Sequence, residues 1–218
     1  MRIIFLQRSL SHHFFVYGLY GHGHDRILPV AKGACKSTML IKNNLHRIVI
    51  TGPESTGKTQ LAQALSQNLN AVWIPEYARE YVEHLGRPYT YNDVIQIALY
   101  QIAQEKEYEE KTEKGILIFD TWLIITKVWL DLVFGKCPDW IYDHIRSSKI
   151  DLFLVCDTDL PWIADPVREN GGEKRNELFQ IYCNEISTFG FNYEIVSGFG
   201  DLRTDHALIS LSKHGLKL

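Results

Sequence analysis

Apolar residues recur along this chain in two rhythms. Short runs at 48–50, 71–74, 116–120, 150–156 and 193–196 have the length and the β-branched and aromatic content of strands buried in a parallel sheet. Between them the apolar positions return at helical spacing: Leu61, Ala62, Leu65 and Leu69, then Val94, Ile95, Ala98 and Ile102, then Ile125, Trp129, Leu132 and Val133. Helical patterns also cover 139–147, 177–189 and 201–213. This alternation predicts an α/β fold, a five-stranded parallel sheet with helices on both faces. The long central helix is expected to start with Thr90 or Asn92 as its cap, to carry the charged stretch 105–114 out into solvent, and to stop at Gly115. The helix at 121–134 leaves Trp122, Lys127 and Asp131 for a cleft or for solvent.

The polar positions that break this pattern cluster where strands end. Gly52-Pro53-Glu54-Ser55-Thr56-Gly57-Lys58-Thr59 lies directly behind the first apolar run and directly ahead of the first helical one. Gly52 and Gly57 permit backbone angles that let successive N–H groups point inward at an anion, and the helix that follows adds its positive end. In such a phosphate loop Lys58 reaches the outer phosphates of a nucleotide, the Thr59 hydroxyl takes a position on Mg²⁺, and Gln60 continues the first helical turn. The combination of strand, glycine loop and helix predicts a P-loop NTPase three-layer fold of the nucleoside and nucleotide kinase type.

Two carboxylates follow the same logic. Glu76, with Arg79 close behind, comes just past the second strand, at the carboxyl edge where open parallel sheets bind ligands. Asp120 closes the third strand, the expected place for the second Mg²⁺-associated group of a phosphate-loop enzyme. After the fourth strand, the polar stretch 161–175 with its paired glycines is read as a lid. Arg168 and Arg175 on it would exclude water and neutralise charge on a transferring phosphoryl group.

Composition narrows the ligand. A chain of 218 residues can bury a full core, and a net charge of −3 with a pI of about 6.3 argues against the basic surface that nucleic acid requires. A small molecule in a local pocket fits better. No run reaches the length of a membrane span, and Cys35, Cys137, Cys156 and Cys183 are scattered without a C-x-x-C pair, which suits a reducing cytoplasm; Cys156 is read as packing inside a strand. Residues 1–38 have no steady period and are expected to form a loosely ordered extension ahead of a domain spanning 39–218, with Met39 an alternative start. His12, His13, His22 and His24 could bind metal, or Gly21-His22-Gly23-His24 could imitate an H-x-G-H motif. The first position of that motif is Gly21, and 38 residues leave no room for a transferase domain, so neither is adopted.

The glycine loop, Pro75-Glu76-Tyr77-Ala78-Arg79-Glu80-Tyr81, Phe119-Asp120-Thr121, Thr126-Lys127-Val128-Trp129, and Pro161-Trp162 with Asp165 and Arg168 together resemble the ribosylnicotinamide kinase domain of the NadR family, over roughly residues 47–206. The resemblance implies ATP- and Mg²⁺-dependent phosphorylation of the 5′-hydroxyl of nicotinamide riboside, and a kinase-only form without the adenylyltransferase and repressor domains of larger relatives. It implies Glu76 as acceptor of the hydroxyl proton, Arg79 on the ribose hydroxyls, Asp165 at the substrate, and Tyr77, Trp122 and Trp129 as aromatic faces for the cationic ring, although core packing suits Trp129 better. A kinase for another nucleoside and a nucleotide-binding module without transfer activity stay open. A GTP switch would need an N-K-x-D motif, which the sequence lacks.

Overall fold

In the computed structural model, which describes residues 45–112, 115–165, 168 and 170–216, five strands run parallel in one sheet. They are β1 (Leu45–Thr51), β2 (Val72–Ile74), β3 (Gly115–Asp120), β4 (Leu152–Cys156) and β5 (Tyr193–Val196), in spatial order β2-β3-β1-β4-β5. The predicted five-stranded parallel sheet is therefore present. Expectations for residues 1–38, and for Cys35, lie outside the described residues.

Among the described residues six helices link the strands, α1 (Lys58–Leu69), α2 (Tyr77–Glu83), α3 (Tyr91–Lys111), α4 (Leu123–Phe134), α5 (Asp139–Ser147) and α6 (Glu173–Thr188), and α7 (Asp201–Lys213) follows β5. Successive strand side chains point to opposite faces, and two cores follow. Ile48, Ile50, Ile118, Leu154 and Cys156 pack with Leu61 and Leu65 of α1 and Ala207 and Leu211 of α7. Val49, Phe119, Phe153 and Val155 pack with residues of α3, α4, α5 and α6. Each fully buried aliphatic side chain contributes roughly 1.5–3 kcal/mol, so these two layers fix where the strands end. In register, Ile50 sits beside Asp120 on one side and Leu154 on the other. The carboxyl ends of β1, β3 and β4 thus form one edge.

The structure settles the start of α3 and moves its end, and the start of α6, relative to the sequence reading. Of the two candidate caps of α3, Thr90 is used: the Asp93 carboxylate accepts its N–H at 2.7 Å and is held by Arg87 at 2.7 and 2.9 Å. The helix ends at Lys111, and Gly115 opens β3 instead of closing the helix. Its inward stripe is Val94, Ile97, Ala98, Gln101 and Glu105, so the charged stretch does not begin in solvent. Glu105 is buried, accepting from Trp122 Nε1 at 3.0 Å and lying 2.9 Å from His144 Nε2. Finally, α6 starts at Glu173 and not at Glu177, because Gly172 turns the chain with φ 61° and Glu173 favours the helix's positive end.

Candidate active site

The glycine loop connects β1 to α1. Gly52 has φ 135°, and a Cβ there would lie 2.8 Å from the Cys156 carbonyl oxygen, so the loop leaves β1 pressed against the end of β4. Ser55 and Gly57 are left-handed, at φ 57° and 73°. Left-handed residues placed among right-handed ones form a concavity of N–H groups that binds anions. Gly57 caps α1 without a side-chain hydrogen bond, which leaves the first-turn N–H groups open to a ligand. The buried Thr56 donates through Oγ1 to the Pro53 carbonyl at 2.7 Å, and Lys58 Nζ donates to the same oxygen at 2.8 Å. Thr59 and Gln60 lie exposed on the first turn. Beside Gly57 and Gln60 is a cavity of about 210 Å³, lined also by Leu160, Gly200, Asp201 and Thr204.

Glu76 stands at the N-terminus of α2, half-buried. Burial raises its pKa; Lys58 pulls it back, Asp120 raises it further, and Arg79 and Arg168 lower it. Those four charges therefore converge on one carboxylate. Arg79 is not in an ion pair with Glu76; it pairs with Glu83 at 2.8 Å and Asp165 at 3.0 Å.

Asp120 is 1% exposed, and neither carboxylate oxygen has a hydrogen-bond partner. Burial raises its pKa, while the Thr59 hydroxyl and Lys58, both nearby, lower it. A buried carboxylate with only the Thr59 hydroxyl and the Lys58 charge nearby is costly, and a hydrated divalent cation between Asp120 and Thr59 would relieve it, so these residues fit Mg²⁺. Thr121 follows at φ 66°, a strained conformation for a β-branched residue, with its N–H bonded to the Ile50 carbonyl at 2.9 Å.

The lid segment lies across the loop. Ser55 Oγ accepts the Ile163 N–H and donates to its carbonyl, both at 3.1 Å, and Glu54 accepts from the Asn170 N–H at 2.9 Å and from its Nδ2 at 3.0 Å. Asp165 joins Arg79 at 3.0 Å to Arg168 at 2.9 Å, and Arg168 also donates to the Ile163 carbonyl at 2.6 Å. Arg175 is not part of this lid. The early start of α6 puts it in a helical turn, 6% exposed, bound to the Ser55 and Leu160 carbonyls.

The aromatic candidates separate. Tyr77 is half-buried and stacked on Tyr100 with ring centroids 3.5 Å apart. Trp122 is 2% exposed and packs in the core, so it does not face the cleft, because its indole N–H is taken by Glu105. Trp129 packs edge-on to Tyr89 at the rim of that core. Lys127 is likewise removed from cleft and solvent, buried between Asp131 at 3.0 Å and Glu185 at 2.5 Å. Sequence reasoning missed Arg203, which donates to the Thr56 carbonyl at 2.6 Å, and the grip of Glu54 on Asn170. It also missed Tyr182, a buried phenol whose pKa is raised by burial and then by Glu54 and Glu76. No local pattern marks any of the three.

The family described as an AAA domain matches residues 47–203, more than half of the 218 residues. The trifunctional NAD biosynthesis/regulator protein NadR of Salmonella typhimurium is 29% identical over 143 residues, covering 64% of this chain and 35% of that protein. The same figures hold for NadR of Escherichia coli. The chain thus spans about a third of the length of the curated relatives it matches. The crystal structure of NadR protein in complex with NR superposes with a TM-score of 0.70 at 26% identity, covering 80% of this chain and 53% of that one. The complex of NadR protein with NAD and AMP-PNP gives 0.66 at 24%, over 80% and 51% of the two chains, and thymidylate kinase from Ehrlichia chaffeensis gives 0.51 at 17%, over 78% and 99%; these two speak to the fold alone. Among the described residues no helix is long and apolar enough to cross a membrane.

Proposed function

This chain belongs to the AAA domain family, and we propose that it is a kinase transferring the γ-phosphoryl group of ATP to the 5′-hydroxyl of nicotinamide riboside, giving nicotinamide mononucleotide. The observation that carries the proposal is the meeting of Lys58, Glu76, Asp120 and Arg168 at the carboxyl edge of the sheet, beside a loop shaped for phosphate. The similarity to NadR protein, crystallised with NR, supports the choice of substrate, and the glycine loop supports a nucleotide as donor.

In this reading backbone N–H groups of the loop after Pro53 hold the donor's phosphates, and Lys58 exchanges the Pro53 carbonyl for their oxygens. The cavity beside Gly57 takes the donor's base. Thr59 and Asp120 would hold Mg²⁺, which when bound neutralises charge on the phosphates. Glu76, kept partly from water, accepts the proton of the acceptor hydroxyl; a raised pKa brings a carboxylate closer to the pH at which a base works best. Arg168 lies within the field of that site and offers its charge to the transferring group. Arg79 and Asp165 are assigned to the ribose, and the Tyr77–Tyr100 stack offers an aromatic face to the cationic ring.

The test is incubation of the protein with Mg-ATP and a panel of nucleosides, with products identified by mass. Nicotinamide mononucleotide is expected as the main product. Preferred phosphorylation of another nucleoside would overturn the substrate, and ATP binding without transfer to any nucleoside would make the chain a nucleotide-binding module.

A further inference from the structure

Two arginines on different helices grip consecutive carbonyls of the glycine loop. Arg175 of α6 donates through Nη2 to the Ser55 carbonyl at 3.0 Å and through Nη1 to the Leu160 carbonyl at 2.7 Å. Arg203 of α7 donates through Nη1 to the Thr56 carbonyl at 2.6 Å and through Nε to the Gly198 carbonyl at 2.9 Å, and it pairs with Asp159. Both are buried, 6% and 4% exposed.

In a trans peptide the C=O and the following N–H point in opposite directions. Holding the Ser55 and Thr56 carbonyls against the protein therefore turns the N–H groups of Thr56 and Gly57 toward the loop's concave side. Ser55 needs such help. Its left-handed φ of 57° is one that a residue with a side chain holds only where its surroundings impose it, and Ser55 is tied at its hydroxyl by Ile163 and at its carbonyl by Arg175. Arg175 is compensated only at a distance, by the charges of Asp159 and Asp157, against its burial and the like charge of Arg203. Among the described residues no carboxylate pairs with it, and its Nε is buried without a hydrogen-bond partner. A buried cation of this kind is a poor contributor to stability, but it is well placed behind a loop that receives an anion.

We propose that Arg175 and Arg203 are positioning residues for the donor's polyphosphate, clamping two loop carbonyls so that the adjoining amides face the anion. Neither touches the transferring group. The inference rests on the reading that this loop binds ATP.

The experiment is titration of the full chain with Mg-ATP by calorimetry, with melting measured in its presence and absence, for the wild type, Arg175→Met, Arg175→Lys and Arg203→Met. Arg175→Met is expected to weaken ATP binding by about tenfold or more, the weight of one charge-assisted clamp. Its melting temperature without nucleotide should fall modestly, because the Ser55 and Leu160 carbonyls lose their donor, and the rise on adding Mg-ATP should shrink. Arg175→Lys keeps the charge but cannot span both carbonyls, so it should fall with Met. The KM for ATP should rise while the KM for the nucleoside and kcat at saturating ATP stay within about threefold, as lost ground-state binding requires. Wild-type ATP affinity in Arg175→Met would overturn the inference, as would full recovery in Arg175→Lys, or a fall in kcat with ATP affinity intact. Arg203→Met should shift ATP affinity in the same direction; if it fails to fold, the Arg175 variants decide. A wild type that does not bind Mg-ATP would instead remove the ATP reading itself.

Discussion

A single methyl group at Gly52 tests whether the phosphate cradle depends on the close approach of β1 to β4. Gly52 has φ 135°, and a Cβ there would stand 2.8 Å from the Cys156 carbonyl oxygen and 3.2 Å from the Cys156 Cβ and N. Those atoms cannot step aside, because Cys156 pairs with Val196 of β5 and the preceding Val155 pairs with Thr51 of β1. The backbone strain costs roughly 1–3 kcal/mol and overpacking against a rigid neighbour a similar amount, so Gly52→Ala should cost about 2–6 kcal/mol in all. A domain of ordinary stability survives that loss, and part of it will be relieved by shifting the loop. We therefore expect a lower urea midpoint together with ATP binding weakened by about tenfold or more, about 1.4 kcal/mol, in protein that is still folded. Gly86→Ala is the control: φ is 64° there with nothing within 4 Å of the added carbon, so it should lose a little stability and no ATP affinity. A Gly52→Ala protein matching the wild type in both urea midpoint and ATP affinity would refute the reasoning.

Glu76→Gln should reduce turnover by about a hundred- to ten-thousandfold. Because burial raises the Glu76 pKa, the wild-type rate should climb as pH rises through that raised value, and the mutant should lose this limb; a mutant that keeps it would assign the titration to another group. Asp120→Asn removes the unpartnered buried carboxylate, so the Mg²⁺ needed for half-maximal activity should rise by about tenfold to a hundredfold, while the urea midpoint in metal-free buffer holds or increases; an unchanged Mg²⁺ titration would remove Asp120 from the metal site. Asp93→Asn should lower the melting temperature at neutral pH. Arg87 and Thr90 hold the Asp93 carboxyl well below the usual range, so its stabilisation is present above an unfolded-state pKa of about 3.9 and fades as pH falls toward the folded value, where the gap between mutant and wild type should narrow.

What could be read in advance and what could not divides by sequence separation. The strands, the glycine loop and Asp120 at the end of β3 are written in neighbouring residues, and the alternation of apolar runs with helical spacing was enough to place them. Glu105 was legible in principle, since the stripe through Val94, Ile97, Ala98 and Gln101 continues onto it, but a glutamate opening a charged stretch reads as solvated until Trp122 and His144 are seen to face it. Glu54 with Asn170, Ser55 with Arg175 and Thr56 with Arg203 lie 116, 120 and 147 residues apart, and no period reaches that far. The distinction bears on function. The glycine string determines which amides exist and which backbone angles they can reach, whereas α6 and α7 determine which way those amides face. A homologous chain could therefore keep every glycine of the loop and still bind phosphate poorly if either helix shifted by one turn. For this reason the docking of α6 and α7 beneath the loop is a stronger criterion of kinase competence than the motif alone.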